Sequence, residues 1–150
     1  MSAFESVLKL VKKWEPQPSP NELSYRNSLI THLREHLRNV QRIEPEYRHL
    51  GTTTDIYIKQ SGFFSNSEVF VELKRNLRSK GEFDRLVGQI ESLQPKKNAV
   101  IVVLCGETNL TLVARLRDKY GVAEGYLLMN TQLQIVVKDT ASSGANRHTA

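Results

Sequence analysis

Three charged residues near the middle of the chain have the types and spacing needed to hold a divalent cation beside an amine. Glu72 and Lys74 are separated by one residue at the end of an apolar segment, and Asp55 lies in the apolar segment before it. Side chains alternate between the two faces of a strand, so Glu72 and Lys74 would share one face and Leu73 would lie on the other. Carboxylates that hold a metal next to a lysine can promote hydrolysis of a phosphodiester bond.

The two segments that carry these residues are predicted to form a β-hairpin. Apolar and polar residues alternate over 55–59 and again over 68–74. Between them, residues 60–67 are rich in Ser, Asn and Gly, which are typical of turns. We therefore expect Asp55 to lie across from Glu72, close enough for the two to share one metal ion.

The same alternation predicts one buried face and one polar face for the hairpin. The buried face would consist of Ile56, Ile58, Val69, Val71 and Leu73. The opposite face would carry Asp55, Tyr57, Lys59, Glu68, Phe70, Glu72 and Lys74. The alternative to a metal site is an ordinary solvated strand face, since such short motifs also recur by chance.

Composition favours one soluble domain with a polyanionic partner. The chain has 150 residues, enough for one domain with a substantial core, and a formal net charge of +5. Its one cysteine, Cys105, lies in an apolar segment and is interpreted as a buried thiol in a reducing compartment rather than a nucleophile. No segment has the length and hydrophobicity of a membrane span or a signal peptide, which predicts no membrane association and a cytoplasmic, nucleoid or nuclear location.

Hydrophobic periodicity predicts the order of the remaining elements. An amphipathic helix over 1–14 would precede a proline-rich linker at 15–20 and a helix from about 20 to 40. Strands would follow at 40–44, 55–59 and 68–74, a helix at 80–93, a strand at 99–104, a helix at 110–120, and strands at 125–129 and 133–138. Residues 1–139 would thus form a single domain, with 140–150 as a disordered tail.

The two N-terminal helices each have an apolar stripe. In the first helix it consists of Phe4, Val7, Leu8, Val11 and Trp14. This stripe could form a dimer arm, although packing on the protein's own core is the favoured interpretation. In the second helix the stripe would consist of Leu23, Ile30, Leu33, Leu37 and Val40.

In these motifs the chain resembles the PD-(D/E)xK, or restriction-endonuclease-like, nuclease superfamily. The resemblance rests on Thr54-Asp55 and Glu72-Leu73-Lys74, and on the order of elements over roughly residues 20–138. Thr54 replaces the proline of the superfamily signature, which carries no chemistry. The resemblance implies an α/β fold with a mixed central β-sheet flanked by helices. Its core would have the order αβββαβ, with an extra N-terminal helix.

The resemblance implies that the protein is a metal-dependent nuclease, and first of all a DNA endonuclease. Its cutting would be structure-selective or weakly sequence-selective, as in a junction resolvase or a repair or restriction enzyme. Asp55, Glu72 and the backbone carbonyl of Leu73 would hold Mg²⁺, with Mn²⁺ able to substitute, and Lys74 would orient or deprotonate the attacking water. The partner would be DNA rather than RNA, cut by a homodimer. The alternative is a catalytically silent nucleic-acid-binding or assembly subunit with a nuclease-like fold.

Two further residues are candidates for the same site. Many superfamily members carry a glutamate on the helix before the sheet, and Glu22 would point toward the packed side of that helix. A capping box with Ser19 as the N-cap explains Glu22 equally well. Some branches carry a glutamine after the lysine motif, followed four residues later by tyrosine. Gln89 matches the first half of that pattern, but Leu93 replaces the tyrosine, and an exposed helical glutamine is the favoured alternative.

Basic residues near these motifs are candidates for contacts with a nucleic-acid backbone. Those singled out are Arg48, Arg75, Arg78, Lys80, Lys96 and Lys97. Such contacts would make affinity fall steeply as salt is added. For any one of these residues, the alternative is an ordinary solvated surface charge.

Overall fold

A mixed five-stranded sheet with helices on both faces organises the computed structural model, which describes residues 2–62, 65–122 and 132–139. The helices are α1 (Ala3–Lys13), α2 (Glu22–His36), α3 (Lys80–Ser92) and α4 (Leu110–Tyr120). The strands are β1 (Val40–His49), β2 (Thr52–Gln60), β3 (Ser67–Leu77), β4 (Ala99–Thr108) and β5 (Leu133–Asp139).

The strands lie in the order β1-β2-β3-β4-β5. β1, β2 and β3 are antiparallel neighbours, whereas β3, β4 and β5 run parallel. Parallel strands need a long crossover, which α3 supplies between β3 and β4. The expected α/β class with a mixed central sheet flanked by helices is therefore confirmed.

Both faces of the sheet are buried, which corrects the prediction for the hairpin. α1 and α2 cover one face, where Ile56 and Val71 are buried. α3 and α4 cover the other face, and Tyr57 and Phe70 are buried there. The prediction that Tyr57 and Phe70 lie on a polar face is wrong, because the alternation of side chains does not reveal that helices cover the second face.

α1 packs on the protein's own core, as the favoured interpretation predicted. Ser2 caps the helix, and Ser2 and Glu5 form a reciprocal capping box. The indole Nε1 of Trp14 donates to Ser28 Oγ on α2, at 3.0 Å. The apolar stripe is buried throughout, at Phe4, Val7, Leu8, Val11 and Trp14.

α2 is shorter than predicted at both ends. Its N-cap is Asn21, whose Oδ1 accepts the backbone N–H of Ser24 at 2.8 Å, so Ser19 is not the cap. Leu23 is exposed and Val40 begins β1, so neither extends the buried stripe of α2. The buried residues are Tyr25, Leu29, Ile30 and Leu33. The helix ends at the C-cap Leu37, whose backbone is extended (ψ 132°), and Asn39 two residues later adopts a left-handed φ of 58°.

β1 is much longer than the predicted strand over 40–44. It pairs with β2 along its length, and the reversal between them falls at Leu50 and Gly51, both with positive φ. Pro45 and several charged residues obscured the pattern, as is common for strands at a sheet edge. The helices at 80–93 and 110–120 and the strands at 99–104 and 133–138 are confirmed within one or two residues, apart from a four-residue extension of β4.

Some predictions concern parts of the chain that the structure does not describe. The strand at 125–129 and the disordered tail at 140–150 both lie outside the described residues. Within the described residues, no helix has the length and apolar character needed to cross a membrane.

β3 and β4 come unusually close together just beyond the catalytic candidates. Asn76 and Gly106 both have positive φ, at 64° and 72°. The Oδ1 of Asn76 accepts the backbone N–H of Glu107 at 2.8 Å. A Cβ at position 106 would collide with this Oδ1 and lie 3.2 Å from Arg75 Cγ. Glycine at position 106 therefore permits the close approach that holds the end of β3 in place.

We expect Gly106→Ala to destabilise the protein by about 1–3 kcal/mol, since it combines a left-handed φ with a steric collision. Gly121→Ala is the matched control, because Gly121 also has a positive φ (63°) but has open space at its Cβ position. Urea unfolding of both variants measures the difference. A loss no larger for Gly106→Ala than for Gly121→Ala would contradict the steric explanation.

Candidate active site

The site lies where β2 and β3 separate. Their backbone pairing ends at Ile56 and Val71. This point is the β2–β3 fork, and beyond it hydrogen bonds that involve side chains connect the two strands. Thr54 Oγ1 donates to the Val71 carbonyl at 3.1 Å, and the Leu73 N–H donates to Asp55 Oδ2 at 2.7 Å. Side-chain bonds at the fork thus replace the strand ladder and bring the carboxyl groups of Asp55 and Glu72 together.

Glu72 is a buried carboxyl group that lacks a counter-ion. It is only 3% exposed, and its Oε2 has no hydrogen-bond partner among the described residues. Burial raises the pKa of Glu72 to about 10, together with the charge of Asp55, a hydrogen bond to Asp55 and the charge of Glu22. Without a cation, Glu72 therefore keeps its proton at neutral pH and hydrogen-bonds to Asp55.

Glu22 reaches the same site from the first turn of α2. Its Oε2 accepts the backbone N–H of Arg75 at 3.1 Å, so it does not reach back to form the capping box considered above. Burial raises the pKa of Glu22, and the charge of Asp55 adds to this. The hydrogen bond from Arg75 and the charge of Lys74 act in the opposite direction. Three carboxyl groups from three elements thus influence one another at the fork.

Lys74 lies at the edge of this carboxyl cluster. Its Nζ is 3.7 Å from Glu82 Oε2, and its charge acts to lower the pKa of Glu22. Glu82 is itself held in place, since its Oε1 accepts the N–H of Arg78 at 3.2 Å and the hydroxyl of Ser79 at 3.1 Å. Sequence analysis missed Glu82, although the Ser79-x-x-Glu82 spacing is the signal of a helix start. The N-terminus of α3 therefore fixes the position of the lysine amine.

The donors at the fork fit Mg²⁺ in type and number. Mg²⁺ prefers oxygen ligands and is usually held by one or two carboxylates, with water and substrate phosphate completing its shell. Asp55 and Glu72 supply such a pair, and the unpartnered Oε2 of Glu72 is a buried acceptor without a donor. As the side chains are placed, no three His, Cys, Asp or Glu residues in the described part of the chain surround one metal position. The carbonyl of Leu73 stays a predicted ligand.

Of the predicted phosphate-binding residues, three follow Lys74 directly. Arg75 has a structural contact, because its Nε donates to the Ser19 carbonyl at 3.0 Å and ties the linker to β3. Arg78 and Lys80 are exposed at the start of α3 and have only surface ion pairs, with Glu107 at 3.8 Å and with Asp84 at 2.8 Å. Such pairs are weak and leave both cations accessible to a phosphate.

The other predicted residues are more scattered. Arg48 is exposed on β1 and pairs with Thr53, two residues from Asp55. Lys96 and Lys97 precede β4, whose first residue pairs with Val69, at the opposite end of β3 from Lys74. The prediction that these two lysines gather near the site is wrong, because α3 carries the chain back to the opposite end of the strands, where β4 begins beside Val69.

Gln89 and Cys105 follow the interpretations that give them no chemical role. Gln89 is exposed on α3, whose buried face is formed by Phe83, Leu86 and Ile90. Cys105 is 1% exposed, and burial raises the pKa of its thiol to about 12, helped by the charge of Glu22. A buried thiol that is not ionised at neutral pH is not a nucleophile.

Comparisons with known proteins give no significant match, whether with family models, with curated proteins or with solved structures. The chemistry of the site must therefore be judged from its own groups. These are the buried carboxyl group of Glu72, the half-buried one of Asp55, a third carboxyl group from α2, and the amine of Lys74 near the start of α3.

Proposed function

We propose that this protein is a Mg²⁺-dependent nuclease with a restriction-endonuclease-like core, and that it cuts DNA as an endonuclease. One observation carries the proposal. At the β2–β3 fork, the buried carboxyl group of Glu72 meets the half-buried carboxyl group of Asp55, and its Oε2 has no hydrogen-bond partner among the described residues. Lys74 follows two residues later on the same strand. A buried carboxyl group whose pKa is strongly raised beside a second carboxyl group is typical of functional sites.

The residues at the fork have separate roles in this proposal. Bound Mg²⁺ would polarise the phosphodiester and lower the pKa of a water molecule. Asp55 and Glu72 would hold the ion, and the Leu73 N–H would orient the carboxylate of Asp55. Lys74 would direct its ammonium toward the reacting phosphate and stabilise the charge that grows there. Glu22 would add negative charge on the α2 side of the ion.

Mg²⁺ rather than a softer metal fits this set of donors. The groups that meet at the fork, among the described residues, are carboxyl groups, and hard cations bind such oxygens best. Mn²⁺ accepts the same ligands and should replace Mg²⁺. Because Glu72 holds a proton in the absence of metal, binding of either ion should release that proton.

DNA is the proposed substrate, in structure-selective or weakly sequence-selective cutting by a homodimer. The net charge of +5 supports a polyanionic partner. The described elements are the sheet and the helices that cover it, so no separate element is available there for reading base sequence. Recognition of DNA shape and backbone would then dominate binding.

The test is cleavage of a substrate panel at low salt. The panel contains supercoiled plasmid, single strands, flaps, four-way junctions and RNA, each incubated with Mg²⁺, Mn²⁺ or EDTA. We expect metal-dependent cutting of one of the DNA substrates by the wild-type protein and none in EDTA. Absence of cutting in all arms, with DNA binding that does not respond to metal, would overturn the proposal and leave a catalytically silent binding or assembly module.

A further inference from the structure

A second charged feature lies at the far end of the molecule from the β2–β3 fork. A cleft of about 830 Å³ opens there between α1, the connection from α2 to β1, and the turn after β2. The catalytic candidates take no part in its lining. The two regions are joined by α2, which has Glu22 at its first residue and His36 at its last.

The formally charged side chains that line this cleft, Lys9, Lys13 and Arg38, are all cations. Lys9 and Lys13 project from α1, and His36 and Arg38 come from the end of α2 and the segment after it. The described lining includes no carboxylate. On α1, positions 2, 6, 9 and 13 lie on one helix face, so the hydroxyls of Ser2 and Ser6 flank the two lysines. Cations and hydroxyl donors without an acid are the groups that bind phosphate.

The opposite wall of the cleft is held in place by backbone contacts. The N–H of Ser61 donates to the Asn39 carbonyl at 2.7 Å, and Gln60 Nε2 donates to the Arg38 carbonyl at 2.6 Å. His36 Nδ1 lies 2.9 Å from the carbonyl of His32. Since a carbonyl only accepts, Nδ1 donates, and Nε2 remains the outward nitrogen. The backbone of this wall is therefore fixed before any ligand arrives, which lowers the entropy lost on binding.

We propose that this cleft binds the phosphate backbone of a DNA duplex at a point remote from the β2–β3 fork. The identity of the ligand as the enzyme's own substrate rests on the proposed function. The cleft itself rests on its charge, its shape and its fixed walls.

Two elements give the distance between cleft and fork. α2 advances about 1.5 Å per residue, which separates Glu22 from His36 by roughly 21 Å. β2 advances about 3.4 Å per residue, which separates Asp55 from Gln60 by roughly 17 Å. At about 3.4 Å per base pair, this distance corresponds to five or six base pairs of duplex. A substrate held at both places thus needs an arm of about six base pairs on one side of the scissile phosphate.

The experiment measures DNA binding without cutting. A fluorescent duplex of about 30 base pairs, roughly 100 Å long, is titrated with protein in EDTA at several salt concentrations. The variant is the double substitution Lys9→Ala and Lys13→Ala. Its control is the double substitution Arg85→Ala and Lys119→Ala, which removes the same charge from exposed residues on α3 and α4.

The expected result is a change in salt dependence that is specific to the cleft. Loss of two phosphate contacts should reduce the slope of log affinity against log salt by about 1.8, because each contact contributes roughly 0.9. The control should keep the wild-type slope. A slope that is unchanged in the Lys9/Lys13 variant, or that falls equally in the control, overturns the proposal.

This result is independent of the outcome for the nuclease. A protein that never cuts DNA but loses the salt slope with Lys9 and Lys13 would refute the nuclease and support the cleft. A protein that cuts DNA with an unchanged slope in the variant would support the nuclease and refute the cleft. All four substituted residues are exposed, so both double variants should fold, and circular dichroism checks this.

Discussion

Lys74→Ala is expected to lower the rate of DNA cleavage by about 10²–10⁴-fold while leaving metal binding largely intact. Loss of a group that stabilises developing charge typically costs about 10²–10³ in rate, and loss of a proton-transfer group about 10²–10⁴. Lys74 is half-buried and lies 3.7 Å from Glu82. Its removal should therefore affect the chemical step and not the binding of the ion, for which Asp55 and Glu72 are the proposed ligands.

Two measurements separate these effects. Single-turnover cleavage of the preferred substrate gives the rate of the chemical step, and isothermal titration with Mg²⁺ gives metal affinity. Lys119→Ala is the matched control, because it removes an exposed lysine near the end of α4 that takes no part in the fork. Cleavage by Lys74→Ala at the rate of the control would remove Lys74 from the mechanism.

Glu82 allows a further distinction within the same experiment. Its carboxylate holds the amine of Lys74 and is itself anchored by Arg78 and Ser79. Glu82→Gln keeps a side-chain oxygen that can accept these hydrogen bonds but removes the charge that pairs with the lysine. We expect an intermediate loss of rate with a shifted pH profile, since a positioning residue acts through the group that it holds.

Local alternation was enough to find the catalytic candidates. Residues two apart on a strand share a face whatever the rest of the fold does, so Glu72 and Lys74 could be paired from the sequence alone. The turn between β2 and β3 then placed Asp55 opposite Glu72. The same reasoning misjudged Tyr57 and Phe70, because burial of a second face depends on α3 and α4, which are separate in sequence.

Contacts between distant segments account for most of what the sequence did not reveal. Glu22 accepts a hydrogen bond from the backbone N–H of Arg75, 53 positions away. This tertiary contact takes the place of the local capping contact that the sequence suggested. Lys96 and Lys97 follow α3 in sequence but lie at the other end of the sheet. Conversely, Lys9 and Arg38 are far apart in the chain and line one cleft. Charge clusters are thus a property of the fold more than of sequence proximity.

Glu72→Gln is expected to raise the stability of the metal-free protein at alkaline pH and to abolish its stabilisation by Mg²⁺. The folded protein keeps the proton of Glu72 up to a pKa of about 10, whereas the unfolded chain releases it near the ordinary value of 4.5. The stability contributed by this proton is complete below the lower value and is lost as pH rises toward the higher one. For one such group, the free energy of unfolding changes by at most about 1.4 kcal/mol per pH unit.

The amide of the variant reproduces the protonated carboxyl group. Its N–H can donate to Asp55 as the proton of Glu72 does, but it never ionises, so the pH-dependent loss should disappear. Mg²⁺ displaces the proton in the wild type, and its stabilising effect should therefore grow with pH. In the variant one of the two charged ligands is missing, and the effect of Mg²⁺ should vanish.

Urea unfolding from about pH 6 to pH 9, with Mg²⁺ or EDTA, measures both effects, because each pH unit is worth up to about 1.4 kcal/mol. Glu107→Gln is the control, since Glu107 is an exposed carboxylate at the end of β4. The difference between wild type and Glu72→Gln isolates the contribution of Glu72 from that of other titrating groups. If that difference does not change with pH, Glu72 does not hold the proton. If Mg²⁺ stabilises Glu72→Gln as well as it stabilises the wild type, Glu72 does not bind the ion. The fork would then be a polar feature of the fold and not an active site.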